Sequence, residues 1–179
     1  MPTLLLVNGA PGSGKSTVAF LVAEQRPLAL ALDIDTIKHA LGQWRADPHR
    51  SGLQARRLAL AVIRQHLADG HDVVVGQYLA RPEFIAELEG TAAALGARFV
   101  ETVLVLDAVT LAGRLARRGA APDRPEHAIN NDLVAPADAE HLVASITTML
   151  GLRPRARRID ASGSVADTVE AVRRTLAHG

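Results

Sequence analysis

The chain has 179 residues, of which 48% are apolar, 22% charged and only 3% aromatic, with a formal net charge of +1. This length suits one compact domain, residues 1–179, that needs no metal or disulfide to hold its core, and the absence of cysteine excludes disulfide and thiolate chemistry. A pI near 8.4 falls short of a dedicated nucleic-acid domain, no aliphatic run is long enough to span a bilayer, and Leu4–Val7 is too short for a signal-peptide core; a cytoplasmic protein with no membrane partner is expected.

Short apolar runs alternate with helix-period segments along the whole chain. Thr3–Val7, Leu28–Leu32, Asp72–Val75, Phe99–Leu106 and Ala156–Ile159 read as strands buried on both faces. A helix starts at Lys15, and another runs from the Asp33–Asp35 region to about Trp44. Leu60, Ile63 and Leu67 share a helix face before Gly70. Pro82 suits a first helical turn that leads through Phe84, Ile85 and Leu88 to Gly96. A further helix starts near Thr110, Leu142, Ile146 and Met149 line another, and Ser164 to Asp167 resembles a capping box opening the last. Strands alternating with helices imply an α/β fold, a parallel sheet covered on both faces. Ligands bind such sheets beyond the carboxyl ends of the strands, so chemistry is sought just after each one.

The first strand runs into Gly9-Ala10-Pro11-Gly12-Ser13-Gly14-Lys15-Ser16-Thr17, which fits G-x-x-x-x-G-K-[ST] at every fixed position. The glycines let successive backbone N–H groups encircle phosphate oxygens, and the following helix turns its positive end to the same anion. Lys15 is placed for the β- and γ-phosphates and the Ser16 hydroxyl for Mg²⁺. The second strand ends in Asp33-Ile34-Asp35-Thr36-Ile37-Lys38. A carboxylate there could take a proton from an acceptor hydroxyl, or cap the next helix. Lys38, three residues beyond Asp35, could hold the acceptor or the transferring phosphoryl.

On these residues the chain resembles the P-loop NTPase superfamily. The guanine-binding N-K-x-D motif of GTPases and the L-S-G-G-Q signature of transport ATPases are absent. The phosphate loop followed by D-x-x-[KR] is similar to small P-loop kinases of the polynucleotide 5′-kinase, chloramphenicol phosphotransferase and zeta-toxin group. That resemblance implies a three-layer sandwich with a five-stranded parallel sheet of order 2-3-1-4-5 and a small helical lid at about residues 114–135. It implies ATP and Mg²⁺ as cofactors and Asp35 as the base. Asp33 is then the alternative base or a member of the metal shell with Ser16. Many relatives carry an acidic residue after the third strand, where this chain has Gln77; Gln77, Tyr78 and Arg81 are candidates to read the acceptor. Arg114, Arg117 and Arg118 precede a Gly/Pro-bounded segment, and the resemblance makes lid arginines, Arg114 and Arg118 foremost, neutralise charge on the γ-phosphoryl. Ser162 and Gly163, after the fifth strand, are implied to wrap the base.

The expected activity is transfer of the ATP γ-phosphoryl to a hydroxyl of a small molecule. A 5′-hydroxyl polynucleotide is the alternative acceptor, through residues 38–57 and the basic run Arg153–Arg158, which otherwise reads as solvated or sheet-flanking. An ATP-binding regulatory module with little turnover is the alternative of another class.

Overall fold

A computed structural model describes residues 1–120 and 134–177. Five strands, β1 (Thr3–Gly9), β2 (Leu30–Leu32), β3 (Val73–Gln77), β4 (Arg98–Val105) and β5 (Arg157–Asp160), form one sheet of order β2-β3-β1-β4-β5. Every pairing is parallel. The helices are α1 (Lys15–Glu24), α2 (Ile34–His39), α3 (Pro48–Ala68), α4 (Pro82–Ala94), α5 (Ala108–Ala120), α6 (Ala139–Leu152) and α7 (Val165–Ala177). The expected α/β sandwich and strand order are both present. None of the described helices is long and apolar enough to cross a membrane.

Period-2 alternation along β1 builds two cores. Leu4 and Leu6 point to one face and pack with Ile63 of α3, Ile85 and Leu88 of α4, Leu111 of α5 and Met149 of α6. Leu5 and Val7 point to the other, against Val18 and Val22 of α1 and Val169 and Val172 of α7. The central strands β3, β1 and β4 are buried as expected, but β5 is not. Three of its four residues are exposed, because as an edge strand it has Arg157, Arg158 and Asp160 to show to water. Arg153 takes the sheet-flanking reading rather than the solvated one. Its guanidinium bonds Glu101 at 2.9 Å and Glu89 at 2.7 Å, closing the end of α6 onto β4 and α4.

Two boundaries move for local reasons. β2 begins at Leu30, since Leu28 has φ of 53° and is 72% exposed, a conformation that a strand cannot use. Helix α2 stops at His39 rather than running to Trp44, because Gln43 takes φ of 54° and Ala46 N–H closes a turn on Gln43 O. Helix α3 in turn starts earlier than its apolar stripe suggests: Asp47 accepts from Arg50 N–H and Pro48 occupies the first turn. At α7 the Ser164 hydroxyl accepts from Asp167 N–H and donates to the Asp167 carboxylate. Of the lid expected at about 114–135, residues 121–133 lie outside the described residues.

Candidate active site

β1 delivers the chain to the phosphate loop, and the loop is held on three sides. Asn8, with no exposure, donates through Nδ2 to Leu79 O at 3.0 Å and accepts through Oδ1 from Leu79 N–H and Gly9 N–H at 2.9 and 2.8 Å. One side chain thereby locks the loop's first residue to the segment after β3. Gly12 and Gly14 have φ of 86° and 92°, which a side chain would strain. At the far side, β3 comes so close to α1 that a Cβ on Gly76 would lie 3.0 Å from Ala19 Cβ and 3.1 Å from Lys15 O. Val18 N–H bonds Gly14 O at 2.9 Å, so the amides before it belong to the helix start and are the ones an anion can use.

Lys15 is the charge at the centre. Burial pushes its ammonium below the ordinary lysine value, Asp33 and Asp35 oppose that shift, and Arg118 reinforces it. Those four groups therefore share one electrostatic neighbourhood. Asp33 serves two partners. Its Oδ1 accepts from Asp35 N–H at 2.9 Å as the N-cap of α2, and its Oδ2 accepts from the Ser16 hydroxyl at 3.1 Å. Asp35 stands in the first turn of that helix, beyond the cap rather than in it. A hydroxyl beside a carboxylate is a hard oxygen pair that suits Mg²⁺, which takes one or two carboxylates and draws its other ligands from phosphate and water. No cluster of three or more His, Asp or Glu capable of caging a metal occurs among the described residues.

The two favoured arginines occupy different places. Arg114 spends its guanidinium on backbone carbonyls: Ser13 O at 3.3 Å, Ala161 O at 2.7 Å, Ser162 O at 3.5 Å and Gly163 O at 3.3 Å. It ties the phosphate loop to the turn after β5, whose shape is fixed by Asp160. Hydrogen bonds from Ser162, backbone first, hold that carboxyl below its ordinary value. Arg118, half-buried one turn on, is the arginine that reaches Lys15's surroundings. Arg117 is exposed.

Gln77 ends β3 with a buried Oε1 that has no hydrogen-bond partner among the described residues. Tyr78 is committed to packing: its hydroxyl donates to Ser145 Oγ of α6 at 3.0 Å and its ring lies on the core. Arg81 is exposed at the N-cap of α4. Asn8 and Gly76 escape the reading of the sequence. A polar residue in the last turn of an otherwise aliphatic strand is the signal for Asn8; Gly76 carries none, because its role is the distance between two elements.

No curated protein matches the chain. Among solved structures it is similar to a gluconokinase from Sinorhizobium meliloti 1021, at 21% identity and a TM-score of 0.66 over 98% of this chain and 92% of that one. It is similar to an APS kinase from Mycobacterium tuberculosis, at 21% and 0.58 over 98% and 97%. A chain of an RNA repair complex matches at 17% and 0.66, over 84% of this chain and 46% of that one. At such identities these likenesses speak for the fold. The family model described as an AAA domain matches residues 4–135, and with the phosphate loop, the strand order and the Asp33–Ser16 contact in place, the chain belongs to that family of P-loop proteins.

Proposed function

We propose that the protein is an ATP- and Mg²⁺-dependent kinase that transfers the γ-phosphoryl group to a hydroxyl of a small molecule. The observation that carries this reading is the Asp33 carboxylate set against the Ser16 hydroxyl of the phosphate loop, with Asp35 in the first turn of the helix that Asp33 caps and both carboxylates in the field of the half-buried Lys15. Asp33 is occupied by the α2 cap and Ser16; Asp35 is left for the acceptor.

In this reading the backbone of Gly9–Thr17 and the Lys15 ammonium bind the triphosphate, and Ser16 with Asp33 would hold the metal. When bound there, Mg²⁺ would supply neutralisation of charge on the phosphate oxygens. The Asp35 carboxylate receives the acceptor's hydroxyl proton as the new O–P bond forms and the bond from the γ-phosphorus to the bridging oxygen breaks, releasing ADP. Arg118 opposes charge growing on the phosphoryl oxygens. Arg114 belongs at the base end of the nucleotide, positioning the turn of Ser162 and Gly163 relative to Ser13. Gln77 Oε1, buried with no hydrogen-bond partner among the described residues, is available to the incoming hydroxyl compound. Similarity to a gluconokinase and an APS kinase supports a kinase acting on small molecules.

The test is incubation with γ-labelled ATP, Mg²⁺ and a panel of sugars, sugar acids, nucleosides, antibiotics and 5′-hydroxyl oligonucleotides. Label on a hydroxyl compound, with ADP formed in equal amount, is the expected result. Binding of ATP with release of free phosphate alone, unaffected by every compound, contradicts it and favours a regulatory module.

A further inference from the structure

Charge is unevenly divided in this chain, and the excess lies on the acceptor side. Residues 34–68, which form α2, α3 and the turn between them, hold six Lys and Arg against Asp35 and Asp47, a net +4. The other 144 residues hold 14 against 17 and are net negative. Elsewhere several arginines are matched by carboxylates: Arg26 by Asp72, Arg153 by Glu89 and Glu101, Arg173 by Glu170. Among the described residues, Lys38, Arg45, Arg50, Arg56, Arg57 and Arg81 form no ion pair.

What holds three of these cations is aromatic. Lys38 Nζ lies 5.2 Å and the Arg45 guanidinium 4.9 Å from the centre of the Trp44 ring, with the His39 ring at 4.6 Å. Arg56 lies 5.2 Å from the Phe84 ring, in the first turns of α4 just after Arg81. A ring face orients a cation without neutralising it, so the positive field remains available to a ligand. The cluster is also built rather than splayed: Ser51 of α3 donates to Trp44 O at 3.0 Å, and His39 Nδ1 is buried with no hydrogen-bond partner among the described residues. Lys38 is one turn of α2 from Asp35.

We propose that the acceptor is a small molecule that carries, besides its hydroxyl, an anionic group such as a carboxylate, sulfate or phosphate. Lys38 and Arg45 on the Trp44 ring receive that group while the hydroxyl meets Asp35. The proposal rests on the kinase reading given above and adds to it the chemical class of acceptor.

Trp44 is the only tryptophan in the chain, so its emission reports on this cluster alone. The phosphate loop is first saturated with Mg²⁺ and a non-hydrolysable ATP analogue, and sulfate is then titrated at constant ionic strength. A saturable change is expected. It weakens about tenfold or more in Lys38→Ala and in Arg45→Ala, as loss of one charge-assisted contact implies, and recovers in Lys38→Arg. A response no different from chloride, or one that survives both alanine changes, overturns the proposal. In the transfer assay, matched pairs are compared: glycerate with glycerol, gluconate with glucose, a nucleoside 3′-monophosphate with its nucleoside. The anionic member is expected to be the better acceptor, with Arg45→Ala raising its KM and leaving the KM for ATP in place. A neutral member phosphorylated as well as its partner overturns the proposal while the kinase reading stands. No transfer to any compound, with the sulfate response intact, overturns both. Transfer confined to oligonucleotides, tighter with each added phosphate, overturns the small-molecule class.

Discussion

Asn8 offers the sharpest test of how the phosphate loop is held. Replacing it with alanine removes three hydrogen bonds in a place with no solvent exposure, and leaves two N–H groups and one carbonyl without partners. Orphaned buried groups cost about 1–3 kcal/mol each, and partial relaxation brings the expected loss for Asn8→Ala to about 3–5 kcal/mol. For a chain of this size, each kcal/mol moves Tm by about 2–4 °C, so the midpoint falls by roughly 6–20 °C. Because Gly9 N–H is one of the groups released, Mg²⁺–ATP affinity also weakens, which calorimetry reads directly. Asn8→Asp separates the acceptor bonds from the donor bond. It keeps an oxygen for Leu79 N–H and Gly9 N–H but sets a buried charge against Leu79 O. A Tm within about 2 °C of wild type for Asn8→Ala, less than 1 kcal/mol by the same conversion, refutes the reasoning.

The two arginines separate kinetically. Arg118→Ala lowers kcat by about 10³, near the bottom of the range for such a group, whereas Arg114→Ala chiefly raises the KM for ATP; equal effects on both parameters in both variants contradict the assignment. Lys15 makes nucleotide binding proton-linked. Its folded value is depressed, so in the alkaline range below 10.5 the unfolded chain holds more protons and the free protein gains stability as pH rises. Bound phosphate restores the ammonium, so Mg²⁺–ATP binding in that range takes up a proton. Calorimetry in two buffers of different ionisation heat measures the uptake; none observed speaks against the depressed lysine. Arg153→Ala strands the Glu101 carboxylate, whose side chain is 4% exposed, and costs about 3–5 kcal/mol at neutral pH. Burial already raises the Glu101 pKa, so the loss in Arg153→Ala shrinks as pH falls through that raised value and the acid becomes neutral, as denaturant melts at several pH values show.

The phosphate loop is legible in the sequence because its chemistry is backbone chemistry: glycine spacing, one lysine and one hydroxyl leave little else that Gly9 to Thr17 could be. The strand order follows from the resemblance that this loop supports. Asp33 and Asp35 are visible as a pair, but which of them caps α2 is decided by the turn into Ile34, and only coordinates show Asp33 taking both the cap and Ser16. Arg114 and Arg118 look equivalent at one turn's spacing. They diverge because the Ala161–Gly163 carbonyls stand beside one and not the other. Arg153 looks solvated in a run of arginines, and its burial depends on Glu89 and Glu101, both more than fifty positions away in the chain. Helix α2 stops short of Trp44 in a turn where the left-handed residue is Gln43 rather than the neighbouring Gly42, so glycine marks the turn but not the residue that bends it.

The central claim is that a carboxylate of the neighbouring strand's helix acts on a hydroxyl beside the bound triphosphate. Asp35→Ala tests it with two numbers taken on one preparation, the Kd for Mg²⁺–ATP and the kcat for phosphoryl transfer to the acceptor found by the panel. The account predicts a Kd within about threefold of wild type, less than 1 kcal/mol, and a kcat lower by about 10²–10⁴. Unchanged transfer in Asp35→Ala, or loss of transfer fully explained by loss of ATP binding, contradicts it.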